Sequence, residues 1–177
     1  MLVLLGAVGH ALTTSELRPT LEPGVATPEL GVLEDRLALE PGNPEIARRL
    51  AAQYLSLEQP ALVLGVVRAV RPEFVTDPLL THRIAQAYEA LGRLDDAAVT
   101  ASVAKARCLR AIGSEQVGVA AEPTQLRCSP AALLALEQHE HALLQMLRWG
   151  VSDPRNDDRA VAAHDLAERR ARIASSQ

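Results

Sequence analysis

The stretch "AQAYEALGRLDDAA", residues 85–98, decides the fold class because it echoes an earlier stretch, "AAQYLSLEQPAL", at residues 51–62. Tyr54 and Tyr88 stand 34 residues apart in the two stretches. The same interval joins six further pairs of apolar residues: Leu50 with Ile84, Ala51 with Ala85, Leu57 with Leu91, Val63 with Ala97, Val67 with Ala101 and Val70 with Ala104. A fixed period of this length predicts a stack of similar helical units.

Helix start signals recur at the same interval. Asn43 precedes Pro44, and Asp77 precedes Pro78, so each pair offers a capping side chain before a proline at the first helical position. Apolar residues at spacings of three and four follow both signals. Gly92 supplies a left-handed stop after the second stripe. These signals predict helices that begin at Pro44 and Pro78, each followed by an antiparallel partner helix.

Composition favours an all-α class. Of the 177 residues, 48% are hydrophobic but only 2% are aromatic, so Ala, Leu and Val must fill the core. Such small side chains suit closely approaching helices better than strands. The net charge of -4 argues against a nucleic-acid binder, which would carry a basic patch. Lys105 is the one lysine in the chain, and we attribute the arginine bias to GC-rich, bacterial coding.

Motifs for enzymatic chemistry are missing from the sequence. The chain has no phosphate-binding glycine loop, no nucleophile elbow and no zinc-protease pair. "HEH", residues 139–141, would place its two histidines in divergent directions on a helix, so they cannot share one metal ion. A solvated helix face is the expectation there. We therefore expect no enzyme, no metal and no cofactor.

The periodic residues resemble the tetratricopeptide repeat family, whose unit is a 34-residue helix hairpin. The family has a small residue in the first helix, a tyrosine three residues later and alanines in the second helix. Ala85, Tyr88 and Gly92 match this pattern, whereas Glu58 stands where the first unit should have its turn glycine. The resemblance covers about two and a half units over residues 28–112. It implies antiparallel hairpins stacked as a short solenoid.

Other segments complete the predicted organisation. Residues 13–27, which contain Pro19, Pro23, Gly24 and several threonines, are expected to form a linker. Residues 113–129 are expected to form a loop. Residues 130–174 predict a helical hairpin that lacks the tyrosine and alanine marks. We interpret this divergent hairpin as a cap that closes the stack.

The first twelve residues leave the cellular compartment open. "MLVLLGAVGHA" has the length of a signal-peptide core, with Gly9 and Ala11 spaced as in a cleavage site, but no Lys or Arg precedes it. Export to the periplasm and an apolar N-terminal segment of a cytoplasmic protein are both consistent with residues 1–12. Cys108 and Cys128 are expected to form a disulfide in the exported protein and to stay reduced in the cytoplasm.

The resemblance also implies a function. In the family, the first helices of successive hairpins line a concave groove that binds a peptide or protein. The groove positions singled out here as partner-binding are Arg48, Leu55, His82, Gln86 and Glu89. The sequence therefore predicts an interaction scaffold. The alternative is a structural subunit of a cell-envelope, membrane-associated assembly that uses its outer surface; no oligomeric state follows from either.

Overall fold

The protein is described by a computed structural model over residues 28–70, 75–116 and 128–174. Within these ranges it forms seven α-helices and no strand, so the predicted all-α class is confirmed. The helices are α1 (Pro28–Leu39), α2 (Pro44–Ser56), α3 (Pro60–Ala69), α4 (Pro78–Ala90), α5 (Leu94–Gln116), α6 (Pro130–Arg148) and α7 (Asp158–Ala174). A short 3-10 turn, Pro154–Asn156, precedes α7.

Some predicted segments lie outside the described residues. These are the apolar segment 1–12, the linker 13–27 and residues 117–127 of the expected loop. The other end of that loop differs from expectation, because α5 continues through Gly113 to Gln116. A glycine inside a helix costs only about 1 kcal/mol relative to alanine. That cost is too small to end a helix that is packed along much of its length.

The predicted helix starts are confirmed in their capping geometry. The side chain of Asn43 accepts hydrogen bonds from the backbone N–H groups of Glu45 and Ile46, at 3.1 and 3.3 Å. Asp77 accepts one from the N–H of Leu80 at 2.7 Å, and Ser129 caps α6 in the same way. Each cap satisfies a donor that the first helical turn leaves without a partner.

One turn closes the first helix of all three hairpins. Glu58, Gly92 and Gly150 adopt positive φ angles of 57°, 74° and 68°. At each turn the N–H of this residue donates to the carbonyl oxygen three residues earlier, and the next N–H donates to the carbonyl oxygen five residues earlier. This pair of bonds is the Schellman motif. The third hairpin, α6 and α7, therefore repeats the local geometry of the other two, with Met146 in the position of Tyr54 and Tyr88.

Helix packing follows the chain order. The pairs α2 with α3, α4 with α5, and α6 with α7 contact each other as hairpins, and α1 packs on α2. Each hairpin meets the next because α4 contacts both α2 and α3, and α6 contacts α5. Ala51, Ala85, Ala97 and Ala104 are each fully buried. Side chains this small permit close helix crossings.

The core divides into clusters that meet at α4. One cluster joins α1, α2, α3 and α4 through residues such as Leu50, Val63 and Leu80. A second joins α4, α5, α6 and α7 through residues such as Ala85 and Leu143. Because α4 contributes to both, it forms the wall that the two halves share.

Cys108 and Cys128 lie at disulfide-bonding distance, with their Cα atoms 5.3 Å apart. Both side chains are buried, and they pack with Ala104 and Leu136 in a third, smaller cluster. The predicted proximity of the two cysteines is thus confirmed. The pair joins the C-terminal half of α5 to the residue that precedes the cap of α6.

The left-handed position in the hairpin turn generates a stability prediction. Replacing Glu58 by Gly should raise the free energy of unfolding by a few tenths to about 1 kcal/mol, because a residue with a Cβ atom is strained at positive φ. Gly92→Ala should lower it by about 1 kcal/mol for the same reason. Urea denaturation measures both changes.

Gly65→Ala is the matched control for this pair. Gly65 lies within α3 and an added Cβ would meet nothing within 4 Å. Alanine is favoured over glycine in a helix, so this variant should be more stable than the parent by up to about 1 kcal/mol. Equal losses in Glu58→Gly and Gly92→Ala would contradict the shared turn.

Candidate functional site

The five residues predicted to bind a partner lie on two helices. Arg48 and Leu55 are on α2, and His82, Gln86 and Glu89 are on α4; all five are half-buried. Leu55 packs against the first core cluster. The structure groups His82 with Glu89 through a third residue. Arg48 is paired with Asp77 at the start of α4, and Gln86 accepts a hydrogen bond from Arg83.

Four side chains from three helices form a hydrogen-bonded chain. His82 Nε2 lies 3.0 Å from His139 Nδ1, and His139 Nε2 lies 2.8 Å from Glu89 Oε2. The second oxygen, Glu89 Oε1, lies 2.7 Å from His164 Nε2. We call these four residues the histidine–glutamate chain. It connects α4 to both helices of the last hairpin.

Helix geometry explains how one ring reaches two residues of α4. His82 and Glu89 are seven residues apart, so they lie on one face of α4 two turns apart. The ring of His139 on α6 bridges them. The rings of His139 and His164 are stacked, with centroids 6.2 Å apart and planes 10° apart. These contacts therefore require one particular rotation of α6 and α7 relative to α4.

The prediction of a solvated face at "HEH" is wrong for two of its three residues. His139 and Glu140 are only 7% and 5% exposed, whereas His141 is exposed. The missed signal is the spacing from Leu136 to Leu143, because residues 139 and 140 continue the same apolar stripe at intervals of three and four. His164 carried no comparable signal in the sequence.

Electrostatics keep the carboxylate of the chain ionised. Burial by itself raises the pKa of Glu89, but hydrogen bonds from His139 and His164, together with their charges, outweigh burial and lower it to about 2. The hydrogen bond to Glu89 raises the pKa of His164, although burial opposes it. For His82, burial lowers the pKa to about 3, and neighbouring His139 and Arg83 act in the same direction. At a pH at which His164 accepts a proton, His82 therefore stays neutral.

Glu140 anchors α6 to α5 beside this chain. Its carboxylate accepts a hydrogen bond of 2.6 Å from the Ser102 hydroxyl and is paired with Lys105. Burial by itself raises the pKa of Glu140, but these hydrogen bonds and the nearby cation lower it overall. Lys105, the one lysine of the protein, thus neutralises a buried acid.

The start of α4 is held by a second polar group. Asp77 is fully buried, and its Oδ2 atom is 3.5 Å from Arg48 Nη1. Arg107 on α5 donates to the carbonyl oxygen of Val75 and to the hydroxyl of Thr81, at 2.8 and 2.7 Å. Burial raises the pKa of Asp77, and the hydrogen bond from Leu80 and the charge of Arg48 oppose it. Arg48 therefore serves helix packing as well as any groove.

The described helices offer neither a metal site nor a membrane span. Across residues 28–70, 75–116 and 128–174, no group of three or more His, Cys, Asp or Glu residues is arranged to hold a metal ion. None of the helices in those ranges is both long enough and apolar enough to cross a membrane. What the histidine–glutamate chain can do chemically is hold a proton and pass it between α4 and the last hairpin.

Comparison with family models, curated proteins and solved structures finds no match to this chain.

The opposite pKa shifts of His82 and His164 in the histidine–glutamate chain predict how the stability of the protein depends on pH. His82 has a lowered pKa in the folded protein, so unfolding is favoured as pH falls from 6.5 towards about 3. His164 has a raised pKa, so its contribution is present below 6.5 and is lost as pH rises through its folded value. Stability should therefore be greatest near pH 6.5. It should fall on the acid side by up to about 1.4 kcal/mol per pH unit for the one proton of His82.

Glu89 adds a loss only between pH 4.5 and about 2, so between pH 6.5 and 4.5 the difference between the parent and His82→Gln reports His82 without a contribution from Glu89. Denaturant unfolding measured across that interval should give a shallower slope for His82→Gln. His141→Gln is the control, because His141 is exposed on the far side of α6. An unchanged slope in His82→Gln would contradict the assignment.

Proposed function

We propose that this protein is an interaction scaffold that binds an extended peptide segment of a partner protein in a groove whose floor is formed by α4. The observation that carries the proposal is a half-buried stripe on that helix. It consists of Leu79, His82, Arg83, Gln86 and Ala90. We call these five residues the α4 stripe.

Repetition of one hairpin supports a short solenoid of the tetratricopeptide kind. The three Schellman turns, the three proline-preceding caps and the sequential contacts of the hairpins are what such a stack requires. A stack of this kind buries a continuous core and leaves one side of its first helices as an extended binding surface. The third hairpin extends this support beyond the segment that resembles the family.

Arg83 gives the α4 stripe its binding chemistry. Its Nη1 atom donates to Gln86 Oε1 at 2.8 Å. Among the described residues no carboxylate pairs with Arg83, and burial lowers its pKa. A half-buried guanidinium with a neutral partner keeps donors free for a carbonyl or carboxylate oxygen. An extended peptide supplies such oxygens at regular intervals.

A structural subunit of an envelope assembly remains the second candidate. The observation in its favour is apolar exposure on the second helices of the hairpins. Val99 and Val103 on α5 are 66% and 38% exposed, and Val161 and Ile173 on α7 are 64% and 62% exposed. An assembly that uses the outer surface would cover these side chains.

A capture experiment separates the two candidates. Arg83→Glu should reduce recovery of the native partner at least tenfold, which corresponds to a loss of about 1.4 kcal/mol of binding energy. Partners captured from the native cell after cross-linking are quantified by mass spectrometry, and melting temperature is measured in parallel.

Two matched variants complete this design. Arg110→Glu reverses an exposed charge on α5 and should leave recovery unchanged. Val99→Ser with Val103→Ser should also leave recovery unchanged if the groove binds. Loss of recovery in the double serine variant, with normal recovery in Arg83→Glu, would transfer the function to the outer surface.

We also propose that the protein is exported to the periplasm, and the paired cysteines support this because disulfides persist in oxidising compartments. The mature chain from its native cell should then begin near Leu12. Cys108 and Cys128 should resist alkylation in denaturant until a reductant is added. An intact Met1 with two freely alkylated cysteines would place the protein in the cytoplasm.

A further inference from the structure

The carboxylate of Glu89 fixes the protons of two histidines. An ionised carboxylate can only accept hydrogen bonds. Both oxygens of Glu89 are occupied, one by His139 Nε2 and one by His164 Nε2. Each of these nitrogen atoms must therefore carry a hydrogen. The position of the remaining protons in the chain follows from this constraint.

A neutral His139 then has a single arrangement open to it. With its hydrogen on Nε2, its Nδ1 atom carries a lone pair and accepts from His82 Nε2, 3.0 Å away. His82 thus keeps its hydrogen on Nε2, and its Nδ1 atom is left as an acceptor. Within the described residues, Nδ1 of His82 has no hydrogen-bond partner. It is also accessible to solvent, because the fully buried side-chain atom without a hydrogen-bond partner in those residues is Asp77 Oδ2.

Uptake of one proton reverses this arrangement without breaking the contact. A proton binds to Nδ1 of His82, and the hydrogen on Nε2 of His82 passes to Nδ1 of His139. His82 is again neutral, now with its hydrogen on Nδ1, and the positive charge lies on His139. That charge is stabilised by the carboxylate 2.8 Å away. Placing the charge on His82 would be opposed by its burial.

We propose that the histidine–glutamate chain is a one-proton relay that converts Nδ1 of His82, on the α4 stripe, from a hydrogen-bond acceptor into a donor. Its consequence for binding rests on the proposed function. Above the transition the groove favours a ligand N–H or O–H group at His82, and below it a carbonyl or carboxylate oxygen. The proton transfer itself requires no partner.

Charged and titratable groups lie on α4 and on the neighbouring helices α2, α5, α6 and α7, whereas α3 carries only the exposed Arg68. They are Arg48 on α2, Asp77 before α4, Arg83 on α4, Lys105 and Arg107 on α5, Glu140 and His141 on α6, and Asp165 on α7. Lys105 and Glu140 neutralise each other. Among these cations, Arg83 acts on His82 and disfavours a charge there.

Nitrogen NMR on the full-length protein tests the relay directly. Long-range proton–nitrogen spectra distinguish the two neutral forms of a histidine ring, and they are recorded from about pH 8 to 5, the range in which histidines titrate. His82 should show the Nε2–H form at the upper end and the Nδ1–H form at the lower end, with its ring neutral in both. A His82 ring that keeps its Nε2–H form, or that becomes charged itself, would overturn the proposal.

Two variants shift the transition in opposite directions. Glu89→Gln removes the anionic acceptor and should lower the transition by at least about one pH unit. His164→Gln leaves the whole carboxylate to His139 and should raise it. Glu168→Gln, on the exposed side of α7, is the control and should leave the transition in place. Shifts of one sign in both variants would refute the relay.

This test is independent of the partner. If the ring of His82 inverts but Arg83→Glu still captures the native partner, the relay stands and the groove assignment fails. If capture depends on Arg83 and the ring does not invert, the groove stands and the relay fails.

Discussion

The fold depends on the small side chains that let α4 be enclosed by its neighbours. Fully buried alanines at positions 85 and 87 of α4, and at 97 and 104 of α5, allow helix axes to approach closely. α4 consequently has no fully exposed residue between Pro78 and Ala90. It contributes to both of the larger core clusters, so the two halves of the described structure meet through it.

An enclosed helix must find partners for its polar groups, because an unpaired buried polar atom is costly. Oδ1 of Asp77 meets this demand by capping α4, whereas its Oδ2 has only the charge of Arg48, 3.5 Å away. Thr81 meets it by accepting from Arg107. His82 and Glu89 meet it together through His139 and His164. The contacts that hold α4 in place are thus the same contacts that create a titratable network. The burial of α4 thus accounts both for its packing and for its titratable groups.

The burial of α4 connects the proposed peptide-binding groove with the proposed proton relay. A groove floor of half-buried polar residues suits recognition of a peptide, since its donors and acceptors are held in place before the partner arrives. His82 belongs both to this floor and to the histidine–glutamate chain. Through His82, a proton taken up at the chain changes the hydrogen bonding that the floor offers. The exposed valines of α5 define the competing surface.

The sequence by itself determined the helices and the three hairpin starts, because caps, prolines and apolar spacing act within one or two turns of the chain. It also placed the turn at Glu58, where glycine was expected and the glutamate adopts a left-handed φ of 57° instead. Tertiary structure alone decided the histidine–glutamate chain. Its three contacts join residues 57, 50 and 75 positions apart, and they depend on how α6 and α7 rotate about their axes against α4. Local signals do not specify that rotation, because packing of the whole core sets it.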